Sequence, residues 1–181
     1  GGSDSIIAYR DVDPSSADSE IEQRDQWVKP PEIGGDFVGA NITFDGRIVM
    51  VTNEGWVVSV ARVFSDHQAA RVPGAEAAVA HNVAALAAGN RPGTADWVRN
   101  SLAVDEDGGI YVVSVDQVHK MVWDGETLSS EPEDGAWSAD YSNGSGLGSG
   151  ATPSLMGFGD EDRFVVMTDG DELMNVVLLW R

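Results

Sequence analysis

The amino-acid sequence predicts an all-β fold, a partial antiparallel β-propeller of about three four-stranded blades with one inserted helix. The first supporting observation is a pattern that occurs three times: a short polar strand, an acidic or glycine turn, then two apolar strands. The second is that the middle strands, IVMVT, YVVSV and FVVMT, are apolar at consecutive positions, which is typical of strands buried on both faces. The third is that only a few residues separate the strands of each unit. Parallel strands need longer crossover connections, so these strands are antiparallel.

The segment 1–34 precedes the repeated units and is predicted to form N-terminal strands and a linker. A short strand is expected at residues 6–9, and a second at residues 21–28 is an edge strand because it carries several charges. The two prolines of Lys29-Pro-Pro-Glu32 make the linker rigid, since each fixes its own φ and restricts the residue before it.

The repeated units are predicted to form three antiparallel sheets centred near Met50, Val113 and Val166. Within residues 35–181, the blades are assigned to 35–73, 99–140 and 151–181, with a helical insert at 74–98. The predicted strands are 41–44, 48–52, 56–61 and 68–72 in the first blade, 101–104, 110–115 and 118–123 in the second, and 154–158, 164–168 and 175–180 in the third.

The insert is rich in alanine, which favours helix. Val79, Val83 and Leu86 recur at helical spacing and form one apolar stripe, and Gly89-Asn90 is a stop signal. These features predict one helix at residues 75–88, the only one longer than two turns. It either caps the core by packing or covers a ligand site as a lid.

Charge and composition exclude several classes of function. The net charge is −19, from 30 acidic and 11 basic residues, and such a surface repels nucleic acids and anionic membranes. The absence of cysteine excludes disulfides and a thiol nucleophile. No apolar run is long enough for a transmembrane helix, and the N-terminus lacks the regions of a signal peptide. We expect a soluble protein, cytoplasmic or secreted after signal removal.

Two features that could carry chemistry are interpreted as structural. The glycine-rich residues 143–150 precede a strand, whereas a phosphate-binding loop opens a helix, so a flexible interblade loop is predicted. His67, His81 and His119 are widely spaced and form no metal-binding motif, so each is expected to be structural.

Residues 100–114, NSLAVDEDGGIYVVS, resemble the inner-strand signature of the six-bladed propellers of the SMP-30/gluconolactonase, NHL-repeat and strictosidine synthase-like families. The resemblance is at the level of a blade and covers about residues 39–181 in three units. It implies a propeller in which calcium, held by Asn, Asp and Glu, activates a lactone or ester. Asn100 is the residue whose position in the motif matches such an asparagine.

The first strand of each propeller blade lines the central channel, so polar residues on these strands are candidates for a binding site. The predicted ligand-binding residues are Asn41, Thr43, Asn100, Ser101, Thr152 and Ser154. Oxygen-rich side chains suit calcium, a hard cation. The predicted calcium ligands are Asn100, Asp169, Asp171 and Glu172. The alternative for the acidic cluster at 169–172 is a solvated hairpin tip.

Two classes of function therefore stay open. The first is a propeller that binds a ligand or partner and has no identifiable catalytic set. The alternative is a calcium-dependent lactonase or esterase-like hydrolase of SMP-30 type. The apolar strand at 175–181 also needs a partner. That partner is a second copy, in a homodimer that completes a ring, the remainder of a longer chain, or the chain's own residues 5–9.

Overall fold

The computed structural model describes residues 4–89, 96–157 and 161–181. Within them the chain forms fourteen β-strands, one α-helix and a 3₁₀ turn at Pro132–Asp134. The elements are β1 (Ser5–Asp11), β2 (Ile21–Val28), β3 (Phe37–Ile42), β4 (Ile48–Thr52), β5 (Trp56–Val60), β6 (His67–Arg71), α1 (Ala75–Ala87), β7 (Ala103–Val104), β8 (Gly109–Val113), β9 (Gln117–Trp123), β10 (Leu128–Ser129), β11 (Trp137–Asp140), β12 (Ser154–Met156), β13 (Phe164–Thr168) and β14 (Val176–Trp180).

The strands form four antiparallel sheets. Sheet 1 is the hairpin β1–β2, and sheet 2 has the order β3-β4-β5-β6. Sheet 3 has the order β10-β9-β8-β7, with β11 also paired to β9, and sheet 4 has the order β12-β13-β14. Sheets 2, 3 and 4 are centred where the repeats predicted them, and the hairpin of sheet 1 confirms the two N-terminal strands.

The sheets stack face to face, and the middle strands supply both faces. In β8, Ile110 and Val112 join an apolar cluster with sheet 2, while Tyr111 and Val113 join one with sheet 4. Side chains alternate in the same way in β4, where Met50 faces sheet 1 and packs in the apolar cluster that contains Trp27. A strand covered on both sides has no polar face, which explains why these runs are apolar at every position.

The first strand of each sheet lies nearest to the first strand of the next. A Cβ at Gly39 of β3 would lie only 2.3 to 2.5 Å from atoms of Ser101, just before β7, so only glycine fits there. Strand β7 in turn contacts β12 of sheet 4. The first strands thus lie along the inner side of the stack, and the architecture is a partial antiparallel β-propeller.

Helix α1 confirms the predicted helix to within one residue and corrects its apolar stripe. Ala75 and Val79 are buried in the cluster between sheets 2 and 3. Val83 and Leu86, however, are 54% and 42% exposed. The insert therefore packs on the core through its first turns. Residues 90–95 of the predicted insert lie outside the described residues.

Some predicted strand ends were wrong. The first strand was expected to reach residue 44, but β3 ends at Ile42, because Thr43 and Arg47 close a turn through backbone hydrogen bonds. Strand β7 is two residues long instead of four, and β12 ends at Met156, with residue 158 outside the described range.

Pairing of residues 5–9 with the last strand is also contradicted. Ser5–Asp11 pairs with β2 instead, from Val28 back to Ile21. Among the described residues, no helix has the length and apolarity to span a bilayer.

Candidate functional site

Three loops converge beside the start of β7 and enclose a pocket of about 400 Å³, which we call the entry pocket. Arg99 and Asn100 lead into β7 and form one wall. Residues 145–150, from the connection between β11 and β12, form the second, and the β13–β14 hairpin provides Asp169, Asp171 and Met174. Ligand sites in proteins commonly have volumes of roughly 300 to 1,000 Å³, so the entry pocket is large enough for a small molecule.

The glycine-rich wall is held in place, whereas the sequence predicted a flexible loop. The Tyr141 hydroxyl lies 2.6 and 2.7 Å from the carbonyl oxygens of Ser114 and Val115, and it accepts the N–H of Ser149 at 2.9 Å. The Asn143 amide donates to the Val115 carbonyl at 2.8 Å and accepts the Gly148 N–H at 2.9 Å. These bonds fix the loop against the end of β8.

Arg99 has hydrogen-bonding capacity that the fold does not use. One terminal nitrogen donates to the Leu147 carbonyl at 2.5 Å, and the buried Nε atom has no hydrogen-bond partner among the described residues. Next to it, the Asn100 side-chain amide donates to the Ser149 carbonyl at 2.9 Å. Because the guanidinium has several N–H donors but one acceptor among the described residues, its terminal nitrogens keep donors for a ligand in the pocket.

The acidic hairpin is mostly engaged in holding its own turn. Asp169 is 3% exposed and accepts hydrogen bonds from the side chain and backbone of Asn175, which lower its pKa. Asp171 accepts from the Ser142 hydroxyl at 2.7 Å and the Gly144 N–H at 2.6 Å. The solvated tip that the sequence suggested is limited to residues such as Glu172, which is exposed and does not line the pocket.

The geometry is poor for a bare cation. Asn100, Asp169 and Asp171 do line one pocket, but all four carboxylate oxygens already accept protein N–H or O–H groups. Calcium takes six to eight oxygen ligands, and the Arg99 guanidinium in the same pocket would repel it. Among the described residues, no group of three or more His, Asp or Glu could hold a metal ion. The calcium site stays a prediction.

The predicted ligand-binding residues do not form one site. Thr43 follows β3 and lies at the opposite end of the sheets from Asn100, in a crevice of about 210 Å³ shared with Asp45, Glu106 and Trp123, which we call the exit crevice. Asn41 is exposed on β3, and Thr152 and Ser154 are exposed near the start of β12. The first strands run in the same direction, so residues before and after them lie at opposite mouths. Ser101 is used in the contact with Gly39.

A network that sequence analysis missed lies behind the entry pocket. The His119 ring is buried, with Nε2 3.0 Å from the Ser114 hydroxyl and Nδ1 2.8 Å from that of Ser138. Burial lowers the pKa of His119 to about 4, so the ring is neutral at neutral pH. Ser114 is itself buried, and the crevice beside it has no room for a water molecule. A buried serine without a carboxylate behind its histidine fits a structural role better than a nucleophilic one.

Known proteins that resemble this chain include an uncharacterized relative and a distantly similar solved structure. No family model matches the chain. An uncharacterized protein of Archaeoglobus fulgidus is 40% identical over 183 residues, a match that covers 97% of this chain and 31% of the relative. The chain thus spans about a third of that relative's length.

A crystal structure of a catalytically inactive virginiamycin B lyase from Staphylococcus aureus with quinupristin is similar, with a TM-score of 0.45 and 12% identity. The match covers 91% of this chain and 46% of the lyase chain. This similarity is too low to assign a fold or a function, so the propeller architecture is inferred from the stacking of the sheets themselves.

Proposed function

We propose that this chain is a propeller-type binding protein whose ligand occupies the entry pocket. The observation that carries the proposal is the Arg99 guanidinium, which has one hydrogen-bond acceptor and no ion pair among the described residues, in a pocket whose other polar groups are held in fixed positions. Fixed polar groups with spare capacity are what a binding site requires, because little ordering cost remains when the ligand arrives.

The walls indicate the chemistry of the ligand. Arg99 offers donors to a carboxylate or carbonyl. Each Asp171 oxygen accepts one protein hydrogen bond and keeps a second lone pair for a hydroxyl or ammonium group. Leu147 and Met174 add apolar contact. A small hydroxy acid, amino acid or sugar acid carries both kinds of group, and this is the class of ligand we propose.

The test is a thermal-shift screen of hydroxy acids, amino acids and sugar acids, followed by calorimetry with the best compound. Arg99→Gln should weaken binding about ten-fold or more, because a charged hydrogen bond is lost. Arg163→Gln is the matched control, since Arg163 is ion-paired with Asp107 outside the pocket. Equal affinity of the parent protein and Arg99→Gln would contradict the proposal.

The second candidate is the calcium-dependent hydrolase. It is favoured by one observation, that three of the four predicted calcium ligands line the same pocket. Calcium should then raise the melting temperature, chelator should reverse the rise, and Asp171→Asn should remove it. Identical melting curves in chelator and in excess calcium would eliminate this candidate.

We also propose that the partner of this chain is a second copy, which covers the outer face of sheet 4 in a two-fold homodimer. The β13–β14 register places Phe164 beside Trp180 and Val166 beside Leu178 on that face. Trp180 and Leu178 are 63% and 49% exposed, although the opposite face of the sheet is buried. An apolar face of this kind is typical of an interaction surface.

Light scattering tests the dimer, with an expected mass near twice 19.2 kDa. Leu178→Glu should give a monomer, because a carboxylate would be buried without a partner. Leu173→Glu is the control, since Leu173 is exposed at the β13–β14 turn rather than on the strand pair. A monomeric parent protein at micromolar concentration would contradict the dimer.

A further inference from the structure

A second cavity lies on the other side of the molecule from sheet 4, between the hairpin of sheet 1 and sheet 2. It measures about 530 Å³, which is larger than the entry pocket and within the usual range of small-molecule sites. We call it the hairpin cleft. None of its lining residues belongs to the entry pocket, so it would be a separate site.

The walls of the hairpin cleft are mainly apolar, and several are open to solvent. Tyr9 from β1, Ile42 from β3 and Val63 from the turn after β5 are each 61% to 65% exposed. Exposed apolar side chains scattered over a surface are ordinary, but these surround one cavity. An apolar ligand would bury them.

Phe64 gives the cleft a fixed wall at some cost in backbone energy. Its φ is +58°, in the left-handed region that bulky residues rarely adopt. The turn is closed by a hydrogen bond from the Phe64 N–H to the Ala61 carbonyl at 2.8 Å, and the ring packs against the apolar cluster of sheets 1 and 2. Strain that is held by its surroundings is often found at ligand sites.

The charges at the hairpin cleft are opposite in sign to the rest of the protein. Arg24 and Arg62 line it, and no Asp or Glu among the described residues does. Within the part of the chain that the structure describes, neither arginine has an ion-pair partner. Other basic side chains there do form ion pairs, namely Arg10, Lys29, Arg47, Arg71, Arg163 and Arg181. Two unpaired arginines at one apolar cavity, in a chain of net charge −19, form a local site for an anion.

We propose that the hairpin cleft binds an amphipathic organic anion, a medium-length carboxylate whose head group is held by Arg24 and Arg62 and whose apolar body lies along Ile42 and Val63. Guanidinium groups suit carboxylates because their donors match the two oxygens. The apolar body contributes through the exposed surface that it removes from water. This proposal does not depend on the function of the entry pocket.

The probe for this site is decanoate, titrated into the purified protein by calorimetry at low salt. Decanoate should bind saturably and at least ten-fold more tightly than decanol, which has the same chain length without the charge. Decylammonium should bind more weakly than either, because the two arginines repel it. Added salt should weaken decanoate more than decanol.

Variants separate this site from general attraction to the surface. Arg24→Gln and Arg62→Gln should each weaken decanoate binding about ten-fold. Arg10→Gln is the matched control, because Arg10 lies on the same hairpin, pairs with Glu22 and does not line the cleft. Val63→Asp places a carboxylate at the wall of the cleft and should abolish binding. The fold should tolerate this substitution, because Val63 is exposed.

Three outcomes would overturn the proposal: no decanoate binding at millimolar concentration, equal affinity for decanoate and decanol, or unchanged affinity in both arginine variants. Unfolding curves of each variant establish that the fold is intact, so a loss of affinity reports on the cleft itself.

Discussion

The two mouths of the propeller carry similar polar residues but use them differently. At the exit crevice, Asp45 accepts the indole N–H of Trp123 at 2.8 Å, and Asp107 receives Arg163 at 2.6 Å. These contacts join neighbouring sheets, so the polar groups hold the fold together. At the entry pocket, Arg99 has no carboxylate partner among the described residues and donates to one backbone carbonyl. We therefore take an arginine without a carboxylate partner as a better candidate for ligand binding than one that is ion-paired across two sheets.

The largest effect is expected at the exit mouth, from Asp105→Ala. Asp105 is 4% exposed and accepts the Tyr111 hydroxyl at 2.7 Å and the Gly109 N–H at 2.7 Å. Its removal leaves buried donors unpaired, so the free energy of unfolding should fall by about 3 kcal/mol in urea titrations.

The control for this change is Asp124→Ala at the same mouth. Asp124 also accepts two backbone N–H groups, from Glu126 and Thr127, but in an exposed turn. It should cost clearly less than Asp105→Ala, because water replaces the carboxylate. Equal losses in the two variants would show that burial does not decide the cost.

The next effect is the acid sensitivity of His119, behind the entry pocket. Its pKa is lowered to about 4 from 6.5, so the unfolded chain binds the proton more tightly than the folded protein. Stability should therefore be unaffected above pH 6.5 and fall by about 3 kcal/mol as the pH drops from 6.5 to 4. His119→Gln should lose this part of the dependence. Parallel stability profiles of the two proteins between pH 6.5 and 4 would contradict the buried neutral ring.

A smaller effect is expected from Arg163→Gln at the exit mouth. Arg163 bridges Glu106 and Asp107 of sheet 3 from sheet 4, and its side chain is partly exposed. Partly exposed ion pairs contribute little, so the loss of stability should be small and should shrink in high salt. A loss that does not change with salt would mean that packing, not charge, holds this contact.

The smallest effect on stability is expected from Arg99→Gln at the entry pocket, about 0.5 kcal/mol, because its contact with the fold is one exposed hydrogen bond to Leu147. We expect Arg99→Gln and Arg163→Gln to rank in opposite order in the stability assay and in the ligand-binding assay. Arg99→Gln should spare stability and impair ligand binding, and Arg163→Gln should do the reverse. A substantial loss of stability in Arg99→Gln would show that its guanidinium serves the fold.

The fold could be predicted because its main signal is local. A strand covered by sheets on both faces must be apolar at consecutive positions, and β4 and β8 show this in five residues each. The signal for the helix was also local, because it lies in the alanine content of the segment. The buried face of α1 could not be predicted locally. Whether Val79 or Val83 packs on the core depends on how α1 meets the sheets, and the structure buries Val79.

The site could be predicted only in part. Asn100, Asp169 and Asp171 do meet at one pocket, although Asn100 and Asp169 are 69 positions apart in the sequence. Thr43 lies at the other mouth, and a strand pattern does not say which end of a strand reaches which mouth. The Ser114–His119–Ser138 network and the arginines of the hairpin cleft depend on contacts between distant segments, and no motif in the sequence marks them.

The central claim is that a ligand binds at the entry pocket and not at the exit crevice. The most direct measurement is a backbone amide NMR titration with the hydroxy, amino or sugar acid that gives the largest thermal shift. We expect saturable shifts at residues 99–100, 145–150 and 169–174, with residues 43–45 and 106–108 unchanged. Shifts centred on residues 43–45 and 106–108, or spread evenly over both mouths, would contradict it.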